Sequence, residues 1–141
     1  MQVFVIKIKT MQKQLLFITA FVAVVSSGFT CNKDDARRIS GCLKGKLEIK
    51  GICMNYVISI KEGDIDPSLL EATWQDPVTG NTYQNVFALS SPCNFPAAID
   101  EGDEFYFYVM DKSPGDCAVC MAYSPTPQKK LPIIVSNKPC N

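Results

Sequence analysis

Histidine is missing from this chain of 141 residues. Without an imidazole, Ser-His-Asp and Cys-His nucleophilic catalysis, histidine general bases and histidine-ligated zinc are all excluded. These exclusions remove most hydrolase mechanisms. The sequence therefore favours a protein that is not an enzyme, and we expect neither a cofactor nor a metal site.

Acidic residues are missing from the first 33 positions, whereas lysines stand at positions 7, 9 and 13. An apolar run over residues 15–25 follows, and Ser26-Ser27-Gly28 ends it. A basic segment, a short apolar core and small residues are the three parts of a secretory signal peptide. A membrane-spanning helix needs roughly 20 mainly apolar residues, which is more than this run offers. We predict a signal peptide over residues 1–30, with Met11 as an alternative start.

Cys31 follows the small residues and begins the stretch Cys31-Asn32-Lys33-Asp34-Asp35. This junction resembles that of small Bacteroidota-type lipoproteins, a resemblance that covers the first quarter of the chain. It implies cleavage before Cys31 and acylation of its sulfur, with palmitate as a candidate chain. It also implies an outer-membrane lipoprotein of the cell envelope that faces the periplasm or the cell surface. Several acyl chains, at ~0.8 kcal/mol per buried methylene, hold a protein firmly on a membrane.

An alternative to lipidation is ordinary signal cleavage near Ser27 or Gly28, which would give a soluble secreted protein. The number of cysteines favours lipidation. The chain has seven, Cys31, Cys42, Cys53, Cys93, Cys117, Cys120 and Cys140. If Cys31 carries lipid, six disulfide candidates remain, an even number that suits a disulfide framework in an exported chain. Their connectivity cannot be deduced from the sequence.

Concentrated positive charge is also lacking. Three of the 14 basic residues lie in the predicted signal peptide, so the remainder carries 11 basic against 14 acidic residues, a net charge of about −3. The two basic pairs, Arg37-Arg38 and Lys129-Lys130, lie in a polar segment and a proline-rich loop, and we interpret them as solvated. A mildly acidic domain of this kind argues against a nucleic-acid partner.

Cys117-Ala118-Val119-Cys120 is the strongest motif with catalytic potential. A redox dithiol places one sulfur at a helix N-terminus, but this pair lies between the turn Pro114-Gly115-Asp116 and a strand-like segment. Residues three apart in a strand point to opposite faces, so we expect the two sulfurs to bridge to different partners. A thiol-disulfide oxidoreductase using Cys117 and Cys120 is the alternative. A four-cysteine zinc site lacks its second close pair.

Long helical patterns are absent after residue 40, and alternation with a period of two dominates instead. We predict a flexible tether over residues 31–40 and one β-domain over 41–141. The candidate strands are 46–50, 52–60, two arms of a hairpin around Trp74 and Tyr83, 105–110, 117–123 and 131–135. Between the hairpin arms, Pro77 presets the first turn position and Gly80 supplies the positive φ that the turn requires. They predict an all-β, disulfide-braced sandwich or closed barrel of about seven short antiparallel strands.

One predicted strand has no polar face. Tyr106, Tyr108 and Met110 alternate with Phe105, Phe107 and Val109. Such a strand is either buried on both sides or exposes a possible ligand surface made of Tyr106, Tyr108 and Met110, which would suit a glycan or a protein. The acidic cluster at 100–104 lacks the spaced ladder of an EF-hand and is ordinary turn material.

These patterns together predict a membrane-tethered, non-catalytic binding or structural module of the bacterial cell envelope.

Overall fold

The computed structural model describes residues 37–115, 118, 120 and 122–140. Its seven strands are β1 (Leu43–Lys50), β2 (Tyr56–Glu62), β3 (Glu71–Gln75), β4 (Thr82–Leu89), β5 (Glu104–Val109), β6 (Lys130–Leu131) and β7 (Ile133–Ser136). The helical elements of the described residues are three single 3-10 turns, Ile52–Met54, Pro67–Leu69 and Pro92–Asn94. The prediction of an all-β domain is confirmed. The predicted signal peptide and Cys31 lie outside the described residues.

The strands form one sheet in the order β3-β4-β2-β1-β5-β7, and each neighbouring pair along this path is antiparallel. The short strand β6 lies off the path and pairs in parallel with β4. Pro132 stands between β6 and β7 and cannot donate a ladder hydrogen bond. The sheet is not closed into a barrel, which is consistent with the sandwich-like alternative.

One hydrophobic core collects side chains from six of the strands. Its buried members are Leu43, Leu47, Ile58, Phe87, Leu89, Phe105, Phe107, Val109, Leu131 and Ile133. The ring of Phe107 is central, because its centroid lies 5.6 Å from that of Phe105 and 5.9 Å from that of Phe87. The predicted inward face of β5 is confirmed, since Phe105, Phe107 and Val109 are all buried.

Gly45 makes room for that aromatic group. It pairs with Phe105 in the β1/β5 ladder, and a Cβ at this position would lie 2.7 Å from Cε1 of Phe107. Glycine normally weakens a strand because it costs backbone entropy and has no side chain to pack. Here the missing side chain is what lets the Phe107 ring fill the core.

The opposite face of β1 carries paired charges. Lys44 Nζ lies 2.7 Å from a carboxylate oxygen of Glu104 and 3.2 Å from one of Glu62. These two hydrogen-bonded carboxylates, Glu104 foremost, raise the pKa of Lys44 well above its ordinary value. Cross-strand pairs of opposite charge stabilise a sheet modestly and leave its outer face polar.

Two sequence predictions are wrong in detail. Residues 52–60 are not one strand, because Cys53 and Met54 have φ of 55° and 58° and the chain makes a 3-10 turn before β2 begins at Tyr56. Ile52, which a continuous strand over 52–60 would place on the same face as Tyr56, is 63% exposed. The predicted strand over 117–123 is also not seen, since its described positions 118, 120, 122 and 123 have no strand hydrogen bonding.

The end of the predicted tether is attached to the sheet. The backbone N–H of Ile39 donates to the carbonyl of Val109 over 2.8 Å, and Arg38 forms an isolated β-bridge with Met110. Residues 31–36 of that segment lie outside the described residues.

Candidate functional site

Every described cysteine is disulfide-bonded. Cys42 is joined to Cys140 and Cys53 to Cys120, across 98 and 67 positions of sequence. Cys93 is also in a disulfide. Cys117 lies outside the described residues. A β-domain braced in this way is typical of an extracytoplasmic, oxidising environment, because cytosolic thiols are kept reduced.

The Cys53–Cys120 bond bears directly on the Cys117-x-x-Cys120 motif. A thiol-disulfide oxidoreductase cycles a bond between the two cysteines of its motif. Here Cys120 is bonded to Cys53 instead, so the local disulfide of that mechanism is not formed. The expected partner of Cys117 stays a prediction, because that residue lies outside the described residues.

The predicted ligand surface on β5 is only partly accessible. Tyr106 and Tyr108 are half-buried, and Met110 is 6% exposed and lies beyond the end of the strand. The guanidinium carbon of Arg38 lies 4.0 Å from the centroid of the Tyr108 ring, an arrangement in which the cation covers the aromatic face. A ligand role for these three side chains stays a prediction.

The most exposed large apolar side chain of the described residues is that of Tyr123, at 84%. It lies directly before Ser124-Pro125-Thr126-Pro127, and it lines two neighbouring clefts. The sequence pattern did not indicate this exposed side chain, because Tyr123 falls in the predicted strand over 117–123. Pro125 and Pro127 could have indicated that this segment is not a strand, because proline has no N–H to donate to a sheet ladder.

One of the two clefts lies between the β3–β4 hairpin and the segment that follows Tyr123. We call it the Trp74–Tyr123 cleft, and its volume is about 420 Å³. Its lining residues are Glu71, Trp74, Gln75 and Pro77 from the hairpin and Tyr123, Pro125, Thr126 and Gln128 from the segment. The volume lies within the range of roughly 300–1,000 Å³ that small-molecule sites have.

Trp74 is held in place by its own hairpin. It pairs with Tyr83 across β3 and β4, and the two rings stack with centroids 6.0 Å apart and an angle of 26° between their planes. Stacked aromatic pairs add about 0.5–1.5 kcal/mol beyond the area that they bury. The predicted hairpin around Trp74 and Tyr83 is thereby confirmed, and it gives the cleft a preorganised aromatic wall.

The turn of this hairpin is fixed by Asp76, which is 5% exposed. One carboxylate oxygen accepts the N–H of Val78 over 3.0 Å and the other accepts the hydroxyl of Thr79 over 2.7 Å. The Thr79 hydroxyl, followed by the Val78 N–H, lowers the pKa of Asp76. Gly80 supplies the positive φ, 76°, that the sequence predicted for this turn.

The second cleft is larger, about 540 Å³, and is walled partly by Cys53, Cys93 and Cys120. Tyr123 is the one aromatic side chain among its described lining residues. The side-chain amide of Asn55 is already used, because its nitrogen donates to the carbonyls of Ile52 and Ala122 over 2.8 and 3.1 Å. Among the described residues, this cleft therefore offers a ligand one aromatic side chain, whereas the Trp74–Tyr123 cleft offers two.

The acidic cluster at 100–104 has structural partners. Asp100 lies 2.6 Å from Nζ of Lys50, and Glu101 accepts the backbone N–H of the same lysine over 3.1 Å. Asp103 accepts the N–H of Asp100 over 2.8 Å. In the part of the chain that the structure describes, acidic and cysteine side chains form no group of three or more arranged to hold a metal ion. None of the described helices has the length and apolar character to cross a membrane.

No family model, no curated protein and no solved structure matches this chain. The fold, the disulfides and the surface therefore define the class of this protein. It is a disulfide-braced all-β domain of an oxidising compartment, with an aromatic-walled cleft on its surface.

Proposed function

We propose that this protein is a lipid-anchored, non-catalytic binding domain of the bacterial cell envelope. The observation that carries the proposal is the state of its cysteines. All five cysteines among the described residues are disulfide-bonded, and Cys31 stands at the junction that resembles a lipoprotein start. Thiols are paired in this way in exported proteins.

Lipid on Cys31 accounts for the odd number of cysteines. Four described cysteines pair with one another, which leaves Cys31 and Cys117 as the sulfurs that remain for Cys93. If Cys31 is acylated, Cys117 would be the cysteine left for Cys93, and all seven cysteines would be accounted for. A soluble secreted form would instead retain an unpaired thiol or bridge to a second molecule.

Binding, rather than catalysis, is supported by the chemistry of the surface. The chain has no imidazole for general base catalysis, and Cys120 is committed to Cys53. The Trp74–Tyr123 cleft combines aromatic rings with amide, hydroxyl and carboxylate groups. Such a mixture of apolar surface and a few polar groups is typical of ligand-binding sites.

The anchor can be tested with the full-length chain expressed in a bacterial host that is fed an alkyne-bearing fatty acid. We expect the wild-type protein to incorporate the label and to sediment with membranes. The Cys31→Ala variant should lose the label and appear in the soluble fraction. The matched control is the double variant Cys42→Ala/Cys140→Ala, which removes two other sulfurs and should keep both the label and the membrane association. A Cys31→Ala protein that stays labelled and membrane-bound would refute the proposal.

A further inference from the structure

We infer that the Trp74–Tyr123 cleft binds a neutral glycan chain. This inference rests on the proposed binding function, and it names the ligand class of that function. It does not depend on the lipid anchor, because the eight described lining residues belong to the β3–β4 hairpin and to the segment over 123–128.

The aromatic side chains are the first argument. The faces of a pyranose ring carry C–H groups with slight positive charge, and an aromatic face is negative, so sugars stack on exposed Trp and Tyr rings. The cleft contains the only tryptophan of the chain. Tyr123 lines the same cleft and is almost fully exposed. An exposed tyrosine beside a tryptophan that is already fixed by Tyr83 gives a sugar chain two aromatic contacts.

The polar lining is the second argument. Sugar hydroxyls both donate and accept, so they need a site that offers both kinds of group. Glu71 supplies a carboxylate acceptor, Gln128 an amide with both functions and Thr126 a hydroxyl. Gln75 is held in place because its amide nitrogen donates to the carbonyl of Gly80 over 3.1 Å. A groove that binds an aliphatic or proline-rich segment can be purely apolar and would not need these hydrogen-bonding side chains.

Charge decides between neutral and acidic sugars. Among the described lining residues, Glu71 is the one acidic side chain, and lysine and arginine are not among them. A carboxylate is a strong acceptor for a hydroxyl and repels a uronic acid or a sulfated sugar at short range. The cleft is therefore suited to a neutral glycan.

The single tryptophan makes the inference directly measurable, because Trp74 fluorescence reports on the cleft alone. We would titrate the full-length protein in detergent with neutral hexasaccharides of glucose, xylose and mannose. The comparison probes are the acidic hexasaccharide of galacturonic acid and a decaproline peptide. We expect a saturable change in emission with at least one neutral hexasaccharide at a Kd of about 1 mM or tighter. We expect no saturable change with the acidic sugar.

The variants Tyr123→Ala and Gln128→Ala test the contacts, and both positions are exposed, so the fold should be retained. We expect Tyr123→Ala to weaken binding by about tenfold or more. The matched control is Met54→Ala, which alters an exposed apolar side chain of the neighbouring cleft and should leave the Kd unchanged.

Three results would overturn the inference: no saturable response to any of the neutral hexasaccharides, a response to decaproline alone, or binding that Tyr123→Ala leaves intact. The anchor proposal is tested separately, by fractionation of the Cys31→Ala variant. If that proposal fails, the result of the fluorescence titration is unaffected.

Discussion

Ser91 and Ile133 are joined by two hydrogen bonds through a single hydroxyl. The hydroxyl of Ser91 donates to the carbonyl oxygen of Ile133 over 2.9 Å and accepts the N–H of Ile133 over 2.8 Å. Both residues are buried. The backbone N–H of the preceding Ser90 donates to Leu131 over 3.0 Å. Beyond the end of β4, the serine side chain thus continues the pairing from β6 to Ile133, the first residue of β7.

Replacing Ser91 with alanine should destabilise the domain by about 1–3 kcal/mol, because the buried N–H and carbonyl of Ile133 lose this partner. Urea unfolding followed by circular dichroism measures the change. Ser136→Ala is the matched control, since the Ser136 hydroxyl bonds to the backbone of Lys138 at the surface, and it should change stability by less than about 0.5 kcal/mol. Equal effects of the two variants would contradict the role given to Ser91.

Gly45→Ala should also destabilise the fold, by about 1–3 kcal/mol, because the added methyl meets the ring of Phe107. Gly41→Ala serves as the control, since a Cβ there has no neighbouring atom within 4 Å. In the background of Phe107→Leu, which is destabilising by itself, the additional cost of Gly45→Ala should shrink. A cost that does not depend on residue 107 would show that the contact is not the cause.

Glu48 should make the domain sensitive to acid. Burial alone would raise the pKa of this carboxyl, but hydrogen bonds from Ser59, Lys61 and Lys46 outweigh it and lower the pKa. A lowered pKa in the folded state stabilises the protein above the ordinary glutamate pKa of about 4.5, and this contribution is lost as pH falls through the folded-state value.

Glu48→Gln should therefore flatten the decline of stability below about pH 5 while it lowers stability at neutral pH. The measurement is the urea midpoint at a series of pH values between neutral and acid. Asp64→Asn, which alters an exposed carboxylate, should leave the shape of the curve unchanged. An acid decline of the same steepness in Glu48→Gln would contradict the assignment.

The Cys42–Cys140 disulfide ties the start of β1 to the end of the described chain. In the chain-entropy account, a bridge over a separation of 98 residues restricts the unfolded chain strongly. The double variant Cys42→Ser/Cys140→Ser should have a free energy of unfolding that is about 2–5 kcal/mol lower than that of the wild type. When both proteins are unfolded in a strong reductant, the difference between their free energies of unfolding should disappear. A difference that persists in the reductant would point to a cause other than the disulfide.

Much of the fold could be predicted because alternation reports burial directly. The face of Phe105, Phe107 and Val109 was predicted correctly, since a strand places every second residue on the core. The turn after Trp74 was also predicted, because Pro77 and Gly80 each restrict or permit particular backbone angles. These signals are local and need no knowledge of the partner strand.

The rest depended on long-range contacts. Apolar residues alternate through Ile52 and Met54, which predicted that the strand continues across Cys53. In the structure the chain turns at Cys53 with a positive φ, and a disulfide joins this residue to one that lies 67 positions away. The Trp74–Tyr123 cleft likewise brings a hairpin together with a segment some 50 residues later. Local pattern carries no information about such pairings, so the sequence predicted the disulfide candidates and the hairpin but not the cleft.

The intact mass of the natural mature protein, measured before and after reduction with alkylation, tests the lipid anchor and the disulfide framework most directly. We predict a chain that begins at Cys31 and carries acyl mass, takes up no alkyl group before reduction, and gains six after it. A mature protein with an unmodified start, or with free thiols before reduction, would contradict this prediction.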